Sequence, residues 1–288
     1  MGGTRFVGPP LVSRLQSQGH QLTLFTRGQR PLPPNVNHIS GDRGQDKDLC
    51  LLENRRFDVI VDISGRTLED TQRVLRYCGF PKHRLLYVSS AGVYAASDSW
   101  PLDENSALDP SSRHSGKAET EAWLREKGIP FTSFRPTYIV GPGNYNPIER
   151  WFFSHILNNH PIPLPGDGTT ITQIGHVDDL AEAMARSLEV ELAVDRIYNC
   201  SSRRGITFRG LIEAAARACD HDPATLQWHP FDSSDLDPLS RKKFPLRLSH
   251  FIVDISRAER ELAWQPRYDA QACLSDSYRR DIALSMAQ

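Results

Sequence analysis

Three glycines open the chain in "GGTRFVG" (Gly2, Gly3 and Gly8), ahead of a stretch with helical periodicity. Glycines so placed let backbone approach a pyrophosphate closely. The helix behind them then offers free N–H groups and a partial positive charge. Thr4, Arg5 and Phe6 complete the turn. In the usual G-x-x-G-x-x-G spacing the middle position is glycine, and here Arg5 takes it. Its guanidinium either pairs with a phosphate or obstructs a dinucleotide. The following strand is expected to end in Thr26-Arg27. A carboxylate there would bind the ribose diol of NAD, whereas a hydroxyl and a guanidinium suit a 2′-phosphate, so NADP is expected over NAD. Asp42 and Arg43, after the next short strand, are placed to flank the adenine.

These groups must be positioned by a sheet. Leu22–Thr26, Phe57–Ser64, Arg84–Ser90 and Phe131–Pro136 are short, nearly continuous apolar runs, as in parallel strands covered on both faces. Between them lie "VSRLQSQG", "TLEDTQRVLRYCG" and "KAETEAWLREKG", each helical in period and each ending in glycine. The alternation predicts an α/β fold, a Rossmann-like doubly wound parallel sheet. A dinucleotide-binding domain is expected over residues 1–145 and a smaller, substrate-type lobe over 146–288, with about 171–203 returning to the sheet. Helices are expected at Trp151–Asn158, Asp178–Leu188, Phe208–Cys219, Ile255–Leu262 and Ala270–Met286. A phosphate-binding turn normally follows a strand of about five apolar residues. Taken literally, "MGGTRFVG" leaves that first strand missing and a gap at the centre of the sheet; a start placed late or a trimmed chain would remove it.

Charge is balanced, with 34 Lys+Arg against 35 Asp+Glu, so a nucleic-acid partner would need a local patch. No apolar run approaches membrane-spanning length, and the N-terminus has no signal-peptide pattern. Five scattered cysteines without a CxxC pair read as reduced thiols in a cytoplasmic compartment. The best local patch is "SRKKFPLRLSH", where Arg241, Lys242, Lys243 and Arg247 surround Phe244. Cations on phosphates beside a ring that stacks on a base would make a single-strand RNA surface. Asp98, Asp103 and Glu104 form an acidic loop, to which no metal is assigned. His176 and Asp178 are expected to open a helix, with the Asp as its cap. Trp151-Phe152-Phe153 reads as core or subunit packing, which leaves a homo- or hetero-oligomer open.

"YVSSAGVY", "SFRPTYIVGPGN" and "IGHVDDLAEAM" resemble, in order, the extended short-chain dehydrogenases that act on nucleotide sugars. The resemblance implies that Ser90 polarises a substrate oxygen and that Lys117 is the lysine which lowers the pKa of a proton-transferring tyrosine. Ser89 and Pro136, inside these segments, are expected to line the cofactor. The tyrosine belongs four residues before the lysine, and Arg113 stands there. A guanidinium stays protonated at any working pH and cannot be a general acid/base. His114 is the nearest substitute; one residue on, about 100° around a helix, it should aim elsewhere. Tyr94 and Tyr138 are further stand-ins, more often found packing.

"GGTRFVG", "LTLFTRGQ", "SRHSGKAETE", "GPGNYNPIERWFF" and "QIGHVDDLA" together resemble the chloroplast stem-loop-binding proteins and their cyanobacterial relatives. Arg5 and Arg113 both fall inside those segments. The resemblance implies RNA binding, association with transcripts and ribosomal particles, an endoribonuclease activity in some members, and the plastid stroma for a plant-type protein. Three functions follow as alternatives: an RNA-associated NAD(P)-binding protein, an NADP-dependent nucleotide-sugar enzyme with altered acid/base, or a non-catalytic NADP-sensing scaffold.

Overall fold

By its eighth residue the chain is already helical. Pro9 and Pro10 occupy the first turn of α1 (Gly8–Ser17), where proline's missing N–H costs nothing, and Leu11, Val12 and Leu15 form its buried stripe. Next come β1 (Thr23–Thr26), β2 (Asn37–Ser40), the single turn α2 (Asp46–Leu49) and β3 (Val59–Asp62). In α3 (Leu68–Cys78) a reciprocal capping box joins Thr67 and Asp70, and Gly79 ends the helix at φ +72°. β4 (Arg84–Val88), α4 (Ser115–Glu126) and β5 (Phe131–Pro136) follow; all six residues of β5 are buried, as in an interior parallel strand. The remainder runs β6 (Tyr138–Val140), α5 (Ile148–Leu157), β7 (Ile162–Pro165), β8 (Ile171–Thr172), β9 (Ile174–His176), α6 (Val177–Ser187), β10 (Arg196–Cys200), β11 (Ile206–Thr207), α7 (Phe208–Ala218), β12 (Trp228–Phe231), α8 (Ser256–Glu261) and α9 (Ala270–Ser277). This computed structural model describes residues 1–232 and 244–283.

The main sheet is parallel in the order β10-β5-β4-β3, with β1-β2 as a separate parallel pair. The two groups are joined where the first strand of a doubly wound sheet would lie. There the Met1 amine donates to Val61 O at 2.6 Å, and Gly2 N–H to Phe25 O at 3.1 Å. No other strand among the described residues enters this space. Helices α1 and α6 cover one face, with Leu11, Leu15, Leu180 and Met184 against Leu86, Phe134 and Tyr198. The opposite face carries Leu75 and Leu124 of α3 and α4 against Ile60, Leu85 and Phe131. Strand β10 comes from late in the chain and pairs along β5 from Arg196↔Thr132 to Cys200↔Pro136. A second core gathers Phe152, Phe153, Phe208, Leu211, Phe244 and Leu274 beneath α5, α7 and α9.

One local expectation is corrected. The cap of α6 is His176, whose Nδ1 accepts from Asp178 N–H at 3.2 Å. Asp178 is inside the first turn, where its carboxylate faces Arg280 at 3.4 Å.

Candidate functional site

In an open parallel sheet ligands settle beyond the carboxyl ends of the strands, where helix N-termini and loops converge. A cleft of about 760 Å³ lies there, lined by Gly2, Gly3, Thr4 and Arg5 of the glycine turn and by the loops that leave β1, β2 and β3. The turn is shaped as a phosphate cradle. A Cβ on Gly3 would lie 2.8 Å from Leu24 Cδ2, and one on Gly8 only 2.4 Å from the Gly3 carbonyl carbon. Only glycine allows α1 to approach so closely. Among the described residues the N–H groups of Gly3, Thr4, Arg5 and Phe6 donate to nothing, which leaves them for an anion. The positive φ angles of the turn fall on Gly2 (+89°), Gly3 (+115°) and Phe6 (+49°). Arg5 therefore replaces the middle glycine without needing that conformation, and its exposed guanidinium lies 4.5 Å from the centre of the Tyr145 ring.

At the next strand end, Thr26 Oγ1 shares a hydrogen bond with His38 Nε2 at 2.9 Å and accepts from Gly28 N–H at 3.3 Å. Arg27 projects, exposed, from the same turn and lines the cleft. Asp42 lines it too, with Oδ1 accepting from Gly44 N–H at 2.8 Å. Arg43 turns inward onto Asp62 in a bidentate pair at 2.6 and 2.9 Å. Burial alone would raise the Asp62 carboxyl; the guanidinium overrides it and holds Asp62 well below the usual carboxylate range.

The far wall carries the residues expected to do chemistry. Lys117 Nζ donates to Gly65 O at 2.9 Å and Val88 O at 2.6 Å, at the ends of β3 and β4. Burial brings its pKa down to about 8 despite Asp62 and Glu121. Arg113 and His114 precede α4, so the helical phase argument against His114 does not apply. Its Nε2 accepts from Arg113 Nε at 3.1 Å, which assigns the other proton to Nδ1. Burial first, then Arg113, Lys117, Arg247 and Arg66, lower its pKa to about 4. His114 is a neutral imidazole inside a ring of cations. A Cβ on Gly92 would lie 3.0 Å from His114 Nε2 and 3.1 Å from Ser90 Oγ. The missing side chain at 92 is what leaves room for the imidazole.

Other expected members of the site lie elsewhere. Ser90 Oγ accepts from Gly92 N–H at 3.0 Å and caps the turn Ala91–Val93. Ser89 is buried at the end of β4 with its hydroxyl unpartnered among the described residues, and Pro136 is buried at the end of β5. Neither lines the cleft. Phe6 lines the adjoining groove of about 740 Å³. Tyr94 is fully buried, donates to Asn199 Oδ1 at 2.8 Å, and is pushed up to about 12 by burial, which removes it as a proton donor. Tyr138 Oη accepts from Arg247 N–H at 2.8 Å. Phe244, expected to stack on a base, is instead 4% exposed among Trp151, Phe152 and Phe208, an apolar cluster that outcompetes solvent for its ring. Arg241, Lys242 and Lys243 lie outside the described residues. Arg247 stacks on Phe251 at 4.9 Å.

Arg30, Arg66 and Tyr145 line the cleft and were not anticipated. A signal for Arg66 exists in the sequence: Arg27, Arg43 and Arg66 each follow the carboxyl end of a strand, in the loops where ligands bind. Arg5, Arg27, Arg30, Arg66, Arg113 and Lys117 have no carboxylate partner among the described residues, and Asp42 is the one acid on the lining. Such a wall attracts phosphates strongly, because low-dielectric sides focus its field.

A sheet of this order with a glycine turn at its switch point defines a nucleotide-binding α/β protein of the extended short-chain dehydrogenase type. UDP-glucose 4-epimerase of Thermotoga maritima superposes with a TM-score of 0.79 at 17% identity, covering 99% of this chain and 98% of that one. The Thermus thermophilus UDP-glucose 4-epimerase, solved with NAD, gives 0.76 at 18% identity over 97% and 96%. At those identities the likeness shows the fold. The chain belongs to the NAD dependent epimerase/dehydratase family, whose model matches residues 1–201, and within it to the chloroplast stem-loop-binding proteins. It is 41% identical to the chloroplast stem-loop binding protein of 41 kDa b of Arabidopsis thaliana, over 98% of this chain and 78% of that one.

Proposed function

We propose that this protein binds a dinucleotide, NADP in preference to NAD, and a stem-loop RNA, and that it does not carry out the tyrosine-dependent hydride chemistry of its family. The observation that carries this reading is Arg113: a permanent cation, with no carboxylate partner among the described residues, stands where a proton must be shuttled. The glycine cradle fits a pyrophosphate, and Arg27 with Thr26 fits a 2′-phosphate. When bound, the dinucleotide would supply hydride chemistry in an ordinary member; here the residues around it bind and orient anions. Residues 1–145 hold the nucleotide and 146–288 form the smaller lobe. RNA is the polyanion of choice because the 41%-identical relative is named for stem-loop binding. That relative's name also says chloroplastic, which supports the plastid stroma for a plant-type protein.

A labelled stem-loop RNA titrated by anisotropy at several salt concentrations tests this. With about five phosphates neutralised by the cleft, log K should fall against log salt with a slope of about −3 to −4. Absence of RNA binding alongside normal NADPH binding would contradict the RNA half. A turnover lost on His114→Gln would favour a nucleotide-sugar enzyme with His114 as a replacement acid/base.

A further inference from the structure

We infer that the dinucleotide and RNA are mutually exclusive occupants of the one cleft, so that a dinucleotide phosphate displaces RNA from this protein. The inference rests on the RNA-binding reading above and adds where RNA sits and what removes it.

Charge pairing distinguishes the cleft from two other grooves. In the adjoining groove Arg14 faces Glu182 at 3.2 Å, Arg267 faces Asp179 at 3.4 Å, and Arg280 faces Asp276 at 3.2 Å. A third groove, of about 580 Å³, sets Arg257 against Glu104 at 3.4 Å and Arg196 against Glu261 at 3.7 Å. Those cations are already neutralised, and a phosphate would have to displace a carboxylate to use them; Arg125 of the third groove has no carboxylate partner among the described residues but lies over the Phe131 ring at 5.6 Å. Arg113, Arg66 and Arg27 need no such exchange. Burial of Phe244 removes the one stacking ring expected in the 240–250 segment, whereas Tyr145 is 56% exposed on the cleft's rim with Arg5 over it. Exposed rings interleaved with unpaired cations suit splayed single-stranded nucleotides.

Size then makes the two ligands rivals. A cleft of about 760 Å³ holds one ligand of dinucleotide size. A dinucleotide cofactor is itself two nucleotides joined through phosphates, so two unstacked loop nucleotides present the same chemistry to the same cradle. The glycine turn's free N–H groups and Arg27 can serve one of them at a time.

The test measures both occupants at once: anisotropy of a labelled stem-loop RNA, and the intrinsic fluorescence of NADPH as its own report of binding. At NADPH one hundred times its Kd, the apparent RNA Kd should rise about a hundredfold. NADH should compete less well, and the difference should vanish in Arg27→Ala. RNA affinity unchanged within about twofold while NADPH fluorescence shows saturation would overturn the inference and leave RNA binding standing. RNA that fails to bind without NADPH would overturn both.

Discussion

A single side chain changes the chemistry available to this fold. On the reading proposed above, Arg113 stands at the family's proton-shuttling position, and its neighbour His114 is held neutral by burial and by the cations around it. Removing the guanidinium in Arg113→Ala takes away one of the charges that depress the imidazole. The His114 pKa should climb from about 4 part of the way toward 6.5, read by NMR of the ring protons. The same change should weaken RNA binding about three- to tenfold and make the salt slope shallower by about one phosphate. Linkage gives the sign of the pH effect. The unfolded chain takes the proton near pH 6.5 and the folded protein only near 4, so the contribution is intact above 6.5 and lost as pH falls between those values. Urea midpoints at pH 7 and 5 should differ less in His114→Gln than in the native protein. The proposal that Arg113 disables the usual chemistry comes from its spacing to Lys117 in the sequence. That His114 touches Gly92 was not legible there, because residue 114 lies in a turn and helical geometry could not place it.

Among elements, the glycine turn and its helix were the most legible, since Gly3 and Gly8 answer to steric demands that the sequence states directly. Gly8→Ala sets a methyl 2.4 Å from the Gly3 carbonyl carbon, with backbone on both sides unable to give way. We expect a loss of about 1–3 kcal/mol in chemical denaturation. NADPH affinity should fall at least tenfold by fluorescence titration. Parallel strands were legible too, because burial on both faces leaves runs such as "FTSFRP" nearly without polar breaks in phase. The cap of α6 was misassigned, since Asp and His both offer acceptors and only backbone geometry decides which one turns back. Nor did composition reveal that Phe244 belongs to the aromatic core of the smaller lobe: basic neighbours in sequence say nothing about the rings that meet it in space.

At the scale of the whole molecule, buried charge ties the main sheet to the helix packed on it. Arg135 of β5 pairs with Glu121 of α4 at 2.6 Å, both buried, and Ser133 Oγ donates to the same carboxylate at 2.6 Å. Glu121→Gln leaves a buried guanidinium without its counter-charge and should cost about 3–5 kcal/mol in urea denaturation, far more than the loss of an exposed pair such as Lys127–Glu126. At this scale overall charge balance concealed the cationic wall of the cleft, since 34 cations against 35 acids says nothing of where they lie. Folding brings Arg5, Arg27, Arg66 and Arg113 from four separate loops to one wall. The most direct test is a crystal structure of the protein with a stem-loop RNA. RNA phosphates should lie within about 3.5 Å of the Arg113 and Arg66 guanidinium groups, with loop nucleotides in the glycine cradle. RNA seated on another face, with the cleft left open beside it, would contradict this account.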